Sequence, residues 1–324
     1  MHKWFNIDRL HFNIKERKYR VKLQKSGMKC YTCMHIFIKS LFSVDTMSKE
    51  NHFERLSEYF RKSDKDYTWL LGGAKHFGFH PTDKKVSEKE ALLLMQDLIG
   101  EKLSLLKSMK VLDAGCGEGV VSNYLAKKFG CKIEGITVLP FEIKKARLMA
   151  ERYDVLDLVN YSLMDYSDMK FSDDAFDAIY TIEALSHSMD VRKTLSEFFR
   201  VLKKGGKIAL FEYTISEDEY FSDHEMDILN KVILSSAMDG LKDFRHDRFQ
   251  GIVEDIGFRD VKTENITQNV EPSLRRLRRF KLIPYFFVKV LGSQENHPNP
   301  TAAVEFYKMG KKGLLRYNIF TAEK

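Results

Sequence analysis

The stretch Asp113-Ala-Gly115-Cys-Gly117-Glu-Gly119 places three glycines at alternate positions behind a single acid. Glycine lets backbone approach a ligand with no Cβ in the way. The dinucleotide fingerprint, Gly-x-Gly-x-x-Gly, would put its third glycine at position 120, where this chain has Val. A carboxylate at Asp113 would also repel a pyrophosphate. The turn therefore suits a cationic ligand of amino-acid type better than a dinucleotide. Further along, Glu142, Asp165 and the pair Glu183 and His187 are the other side chains able to accept hydrogen bonds or move protons.

The elements that must position these residues follow a regular rhythm. Lys110–Ala114 is predicted as a strand and Val120–Phe129 as a helix, so the glycine turn joins strand to helix, the context a ligand turn requires. Lys132–Thr137, Leu158–Met164, Phe176–Glu183 and Lys207–Tyr213 read as further strands. Helices are expected from Pro140, whose fixed φ suits a first turn, to about Tyr153, and over Val191–Leu202, closed by Lys203-Lys-Gly-Gly206. Such alternation means βαβ units and a parallel sheet covered on both faces. Upstream, Met47–Leu71 has helical spacing, and Ser87 with Glu88 and Glu90 marks a helix start. Downstream, Met226–Ala237 and Arg245–Ile256 look helical, and Gly257–Thr267 and Leu314–Thr321 strand-like. Ligands of open α/β sheets sit at the carboxyl ends of the strands. Glu183 and His187, which follow the fourth strand, therefore border the crevice, and either is a candidate general base. Glu142, near a second-strand end, can accept from ribose hydroxyls as an acid does at a dinucleotide ribose.

Val111–Gly119 resembles the first motif of the class I, Rossmann-like S-adenosylmethionine-dependent methyltransferases. Gly135-Ile-Thr-Val-Leu-Pro-Phe-Glu142 resembles the second motif of the branch containing sterol, tocopherol and cyclopropane-forming enzymes, with Glu142 where Gln is frequent. Tyr180–His187 resembles that branch's strand-four motif, and Arg200–Gly206 its turn before strand five, with Lys204 where Pro is usual. The resemblance covers roughly residues 53–324 and is densest over 110–215. It implies an α/β fold: a Rossmann-like, doubly wound, mostly parallel seven-stranded sheet with a helical N-terminal segment and a C-terminal cap insertion. It also implies S-adenosyl-L-methionine as cofactor. Gly115 and Gly117 would admit its methionine end, with Asp113 near its positive groups. Thr137, Val138 and Glu142 would line the ribose edge. Asp165 would accept from the adenine amino group, with Tyr166 packed on the ring. Methyl transfer from a sulfonium is an in-line displacement, so positioning, worth ~7–11 kcal/mol, is the main task. A base is needed only where the acceptor must lose a proton.

The segment His76-Phe77-Gly78-Phe79-His80 resembles the branch's aromatic segment. Phe77, and Tyr213 at the end of strand five, are the candidate acceptor-binding residues; an aromatic face near a sulfonium gains about 0.5–2 kcal/mol from cation–π attraction. Pro272–Leu291 is basic and apolar together. It reads either as a cap helix with a solvated basic face or as a peripheral membrane contact.

The 324 residues carry a net charge of +7, but the first 46, with ten Lys/Arg against three acids, hold all of that excess. The body is balanced, which argues against nucleic acid as a partner. Four domains are expected: a basic extension, 1–46; a helical lid and aromatic loop, 47–105; a cofactor-binding core, 106–215; and cap helices with the last two strands, 216–324. Folding is expected to begin near Met47. The four cysteines, Cys30, Cys33, Cys116 and Cys131, fit free thiols in a reducing compartment, hence a cytoplasmic protein, with membrane association through 272–292 only as the second reading of that segment. A single Cys-x-x-Cys pair does not make a zinc site, so no metal is expected. The leading functional expectation is methylation of a small lipophilic acceptor: sterol-, isoprenoid- or quinol-like. The alternatives are N- or O-methylation of a polar amine or phosphobase, and a cofactor-binding partner subunit without activity.

Overall fold

A computed structural model describes residues 11–14, 17–20, 50–64, 74–293 and 297–324, in two units, Met1–Lys49 and Glu50–Lys324. In the first unit β1 (His11–Ile14) and β2 (Arg17–Arg20) form an antiparallel hairpin, an element the sequence pattern did not signal. Cys30, Cys33, Met47 and residues 65–73 lie outside the described residues.

The second unit begins with α1, residues 50–64. Then follow α2 (Glu88–Leu103), β3 (Lys110–Ala114), α3 (Val120–Phe129), β4 (Lys132–Thr137), α4 (Pro140–Tyr153), β5 (Val159–Leu163) and β6 (Phe176–Ile182). Next come α5 (Val191–Val201), β7 (Leu202–Ile215), α6 (Asp223–Ser235), α7 (Phe249–Ile256) and β8 (Arg259–Asn265). The unit ends with α8 (Thr267–Val290), α9 (Pro298–Lys311) and β9 (Leu315–Glu323). Local chemistry sets several boundaries. The Ser87 hydroxyl accepts the Glu90 N–H at 3.2 Å and caps α2. Asp190 accepts the Lys193 N–H at 2.9 Å and caps α5.

Seven strands form one sheet in the order β5-β4-β3-β6-β7-β9-β8. The first five are parallel, and β9 runs antiparallel to both its neighbours. The chain moves outward from β3 through β4 to β5, then returns to the other side of β3 as β6. The crevice that opens at such a switch point lies beyond the carboxyl ends of these strands. Helices α2, α3 and α4 pack together, as do α5 and α7, and so form the helical layers over the sheet. Val111, Leu112, Ile179, Leu210 and Phe211 are sealed between them, as a doubly covered parallel sheet demands. Each such side chain contributes about 1.5–3 kcal/mol by leaving water.

One expectation is corrected here, and one helix is added. Lys203–Gly206 does not end an element: β7 already pairs Leu202 with Phe176, and the extra residues are absorbed as a register shift before Ala178 meets Lys207. Residues 298–311, without a signal in the pattern, form α9; Pro298 at its first turn is compatible with helix because the proline nitrogen there needs no partner.

Candidate active site

The glycine turn is held from both sides. The N–H groups of Gly115 and Cys116 donate to the Ile136 carbonyl at 3.0 and 2.9 Å. At Gly115, φ is +97°, and a Cβ would lie 2.5 Å from that of Ala184, so only glycine fits. Gly117, at φ +52°, is different: a Cβ there would meet nothing closer than the Lys75 side chain at 3.7 Å. The space above Gly117 is a small hollow edged by the Lys75 and Glu142 side chains, with no atom closer than 3.7 Å to where a Cβ would stand.

Asp113 lies beneath the turn, not above it. Its Oδ2 accepts from the Ser122 hydroxyl at 2.5 Å and the Tyr180 hydroxyl at 2.6 Å. Burial pushes its carboxyl up to about 6, against the pull of those two donors. This shifts Asp113 from a direct ion partner of a ligand to a support that fixes the turn's shape.

The acids that do face the hollow stand at the start of α4 and α3. Glu142 is buried; the Thr137 hydroxyl donates to its Oε2 at 2.6 Å and the Lys75 ammonium to its Oε1 at 2.5 Å. Lys75 also lies 3.5 Å from Glu118, and Lys145 bridges Glu118 and Asp64. Three carboxylates thus share two lysines, which favours an incoming cation. Val138 stands half-buried between Thr137 and Glu142 at the same edge. Beyond β5, Asp165 accepts the Ser167 N–H at 2.8 Å, and the Tyr166 hydroxyl donates to the Ala184 carbonyl at 3.0 Å. The Tyr166 ring meets Phe198 edge-on, 6.3 Å between centroids.

Glu183 is the centre of the second half of the site. It sits at the end of β6 in the left-handed region, φ +50°, a costly conformation for a residue with a Cβ. Its Oε1 accepts from the Phe77 N–H at 2.9 Å and the Tyr317 hydroxyl at 3.0 Å, and its Oε2 from the Tyr213 hydroxyl at 3.0 Å. Burial outweighs these donors and raises the carboxyl to about 7. Behind it Glu212 accepts three successive N–H groups, of Ala184, Leu185 and Ser186, through one oxygen. Burial and the neighbouring Glu183 raise Glu212 to about 8.

His187 is half-buried, with Nδ1–H donating to the Ala237 carbonyl at 3.0 Å and the ring against Phe60 at 5.3 Å. Desolvation lowers it to about 4, so the ring is neutral near pH 7. His76 is likewise neutral, spent on the Phe77 carbonyl and on Gln96.

Glu183, His187, Phe77 and Tyr213 together border a cavity of about 960 Å³, part of it open to solvent. Its remaining wall comes from α1 (Tyr59, Phe60), α6 (Val232), α8 (Leu274, Leu277) and α9 (Ala302, Phe306). Phe77 meets Tyr213 edge-on at 6.4 Å. Glu183 is the sole acid among the lining residues described, beside two lysines, Lys75 and Lys281. The sequence patterns had missed Lys75, Glu212 and Tyr317. Lys75 stood inside the recognised aromatic loop; the other two read as ordinary strand positions.

The residues fit S-adenosylmethionine by their own geometry: room over Gly117 that only the Lys75 and Glu142 side chains edge, an acidic surround for its positive charges, and a buried carboxylate at the strand end to receive hydroxyls. Residues 112–210 match the methyltransferase domain family. The chain is 27% identical over 281 residues to an S-adenosyl-L-methionine-dependent Diels-Alderase of Talaromyces variabilis, covering 82% of this chain and 94% of that protein. It is 26% identical over 288 residues to the chloroplastic tocopherol O-methyltransferase of Arabidopsis thaliana, covering 83% and 81%. The cyclopropane synthase MmaA2 of Mycobacterium tuberculosis shares the fold, with a TM-score of 0.71, 18% identity, and coverage of 84% of this chain and 98% of that one.

Proposed function

Because the chain is a class I, Rossmann-like methyltransferase that uses S-adenosylmethionine, we propose that its cavity takes a small lipophilic acceptor of sterol-, isoprenoid- or quinol-like character. The observation that carries this reading is the cavity wall, aromatic and aliphatic apart from Glu183, His187 and a few polar groups. A polar amine would call for several acids, and the described lining holds one. The names of the tocopherol and cyclopropane relatives agree with a lipophilic acceptor.

When bound, S-adenosylmethionine supplies an electrophilic methyl group. Gly115 and Gly117 give its methionine end room, Glu142 receives the ribose hydroxyls with Thr137 and Val138 alongside, and Asp165 and Tyr166 flank the adenine. Asp113 holds the turn from below. Phe77 and Tyr213 grip the acceptor and exclude water. Where the acceptor must lose a proton, Glu183 is the base: a carboxyl at about 7 is half ionised near neutral pH. His187, at about 4, is far weaker and shapes the wall instead. The same reading extends to a cytoplasmic protein that can touch a membrane peripherally through residues 272–292.

Purified protein incubated with methyl-labelled cofactor and a lipid extract should put label into the organic phase. Label confined to water-soluble amines would overturn the lipophilic acceptor.

A further inference from the structure

Helix α8 has two unlike faces. Leu274, Leu277 and Lys281 turn inward to the cavity, and Tyr285, hydrogen-bonded to Glu305 of α9, anchors the far end. On the outer face Ile283, Phe286, Phe287 and Val290 repeat at helical spacing, and each is at least 58% exposed. Leu291 extends the patch at 74%. Large apolar side chains left together in water mark a contact surface. One to two turns upstream, helical spacing puts Arg275, Arg276 and Arg279 on that same outer face.

We infer that this outer face of α8 docks onto an anionic lipid bilayer, its apolar half entering the acyl boundary and its arginines meeting lipid phosphates. The inference rests on the lipophilic-acceptor reading in one respect: an acceptor drawn from the bilayer would arrive at the helix that also walls the cavity. Charge selects a bilayer over a second copy of the chain. Pro272–Ser293 contains four arginines, two lysines and no acid. Glu271, in the preceding turn of α8, is already engaged by Arg275 at 3.8 Å and by the Tyr307 hydroxyl, so another copy of this face would bring no unengaged carboxylate to the arginines, whereas anionic headgroups do. No helix among the described residues is long and apolar enough to cross a membrane, so the attachment is to the surface.

The test uses full-length protein with phosphatidylcholine vesicles, with and without phosphatidylserine, in a co-sedimentation assay. Anionic vesicles should bind at least about tenfold more protein, and raised salt should release much of it. Phe286→Asp with Phe287→Asp, and separately Arg275→Glu with Arg279→Glu, should each reduce binding by about a hundredfold. Both pairs point away from the cavity, so cofactor affinity and melting temperature should not move. Equal sedimentation of wild type and both variants overturns the inference. So does a wild-type dimer, seen by sedimentation velocity, that the phenylalanine variant dissociates. Methyl label entering extracted lipids without vesicle binding would remove the docking surface and leave the acceptor reading standing. Salt-sensitive vesicle binding with label confined to amines would support the surface and remove that reading.

Discussion

The proposed cofactor side and the proposed acceptor side of this crevice are built in opposite ways. Asp113–Gly119, Thr137–Glu142 and Asp165–Tyr166 follow three successive strands, so each motif is one contiguous stretch of chain placed by its own strand end. The acceptor side draws Phe60 from α1, Phe77 from a loop, Leu277 from α8, Phe306 from α9 and Tyr317 from β9, residues that meet only when the whole unit closes. Glu183 ties that second group together, since one carboxylate receives donors from loop, β7 and β9. Chemistry shared by a family can reside in short motifs, while acceptor choice depends on a wall that many distant segments assemble.

Substitutions should separate the two sides. The largest effect is expected from Glu183→Gln, which should lower turnover by about 10²–10⁴-fold with cofactor affinity little changed. The rise of turnover with pH toward a plateau above about 7 should vanish with it, as a pH–rate profile will show. Gly117→Val should weaken cofactor binding by about a hundredfold in calorimetry, because its side chain occupies the hollow while meeting little protein. Its melting temperature should fall only slightly, the positive φ costing about 1–2 kcal/mol. Glu142→Gln should cost about tenfold in cofactor affinity, the size of one charge-assisted hydrogen bond. On the other side, Ala302→Phe should raise the acceptor KM by about tenfold and leave cofactor titrations unchanged.

The smallest effect is on stability. Glu183, Glu212 and Asp113 have raised folded-state pKa values, so their contribution is present at low pH and is lost as pH rises toward about 6–8. His76 and His187 are lowered to about 4, so theirs is present above about 6.5 and is lost as pH falls. Above about pH 6.5 the histidines no longer titrate and Glu183 and Glu212 still do, so melting temperature should fall from there toward pH 8, and Glu212→Gln should flatten that alkaline limb. A curve that climbs steadily to pH 8 would contradict the burial of these acids.

The same contrast explains what was legible in the sequence. Helix and strand spacing located every strand of the sheet, because central parallel strands are apolar throughout and their helices amphipathic. The glycine turn was legible because its residue types have a backbone reason. Glu212 and Tyr317 were not, since a buried acid and a tyrosine in apolar strands carry no local mark of the N–H groups and carboxylate they meet. Asp113 was recognised, but spacing cannot say that Ser122 and Tyr180 claim its oxygen. Which residues of Pro272–Leu291 face outward was not legible in its mixed basic and apolar sequence; burial separates Tyr285 from its exposed neighbours.

A crystal structure with S-adenosylhomocysteine tests the division of the crevice most directly. The homocysteine end should lie over Gly117 with the ribose hydroxyls on Glu142, Lys75 displaced from that carboxylate, and the Glu183–Tyr213–Tyr317 cluster unchanged beside an open cavity. Product bound elsewhere, or over Gly117 with the Lys75–Glu142 pair still closed, would contradict it.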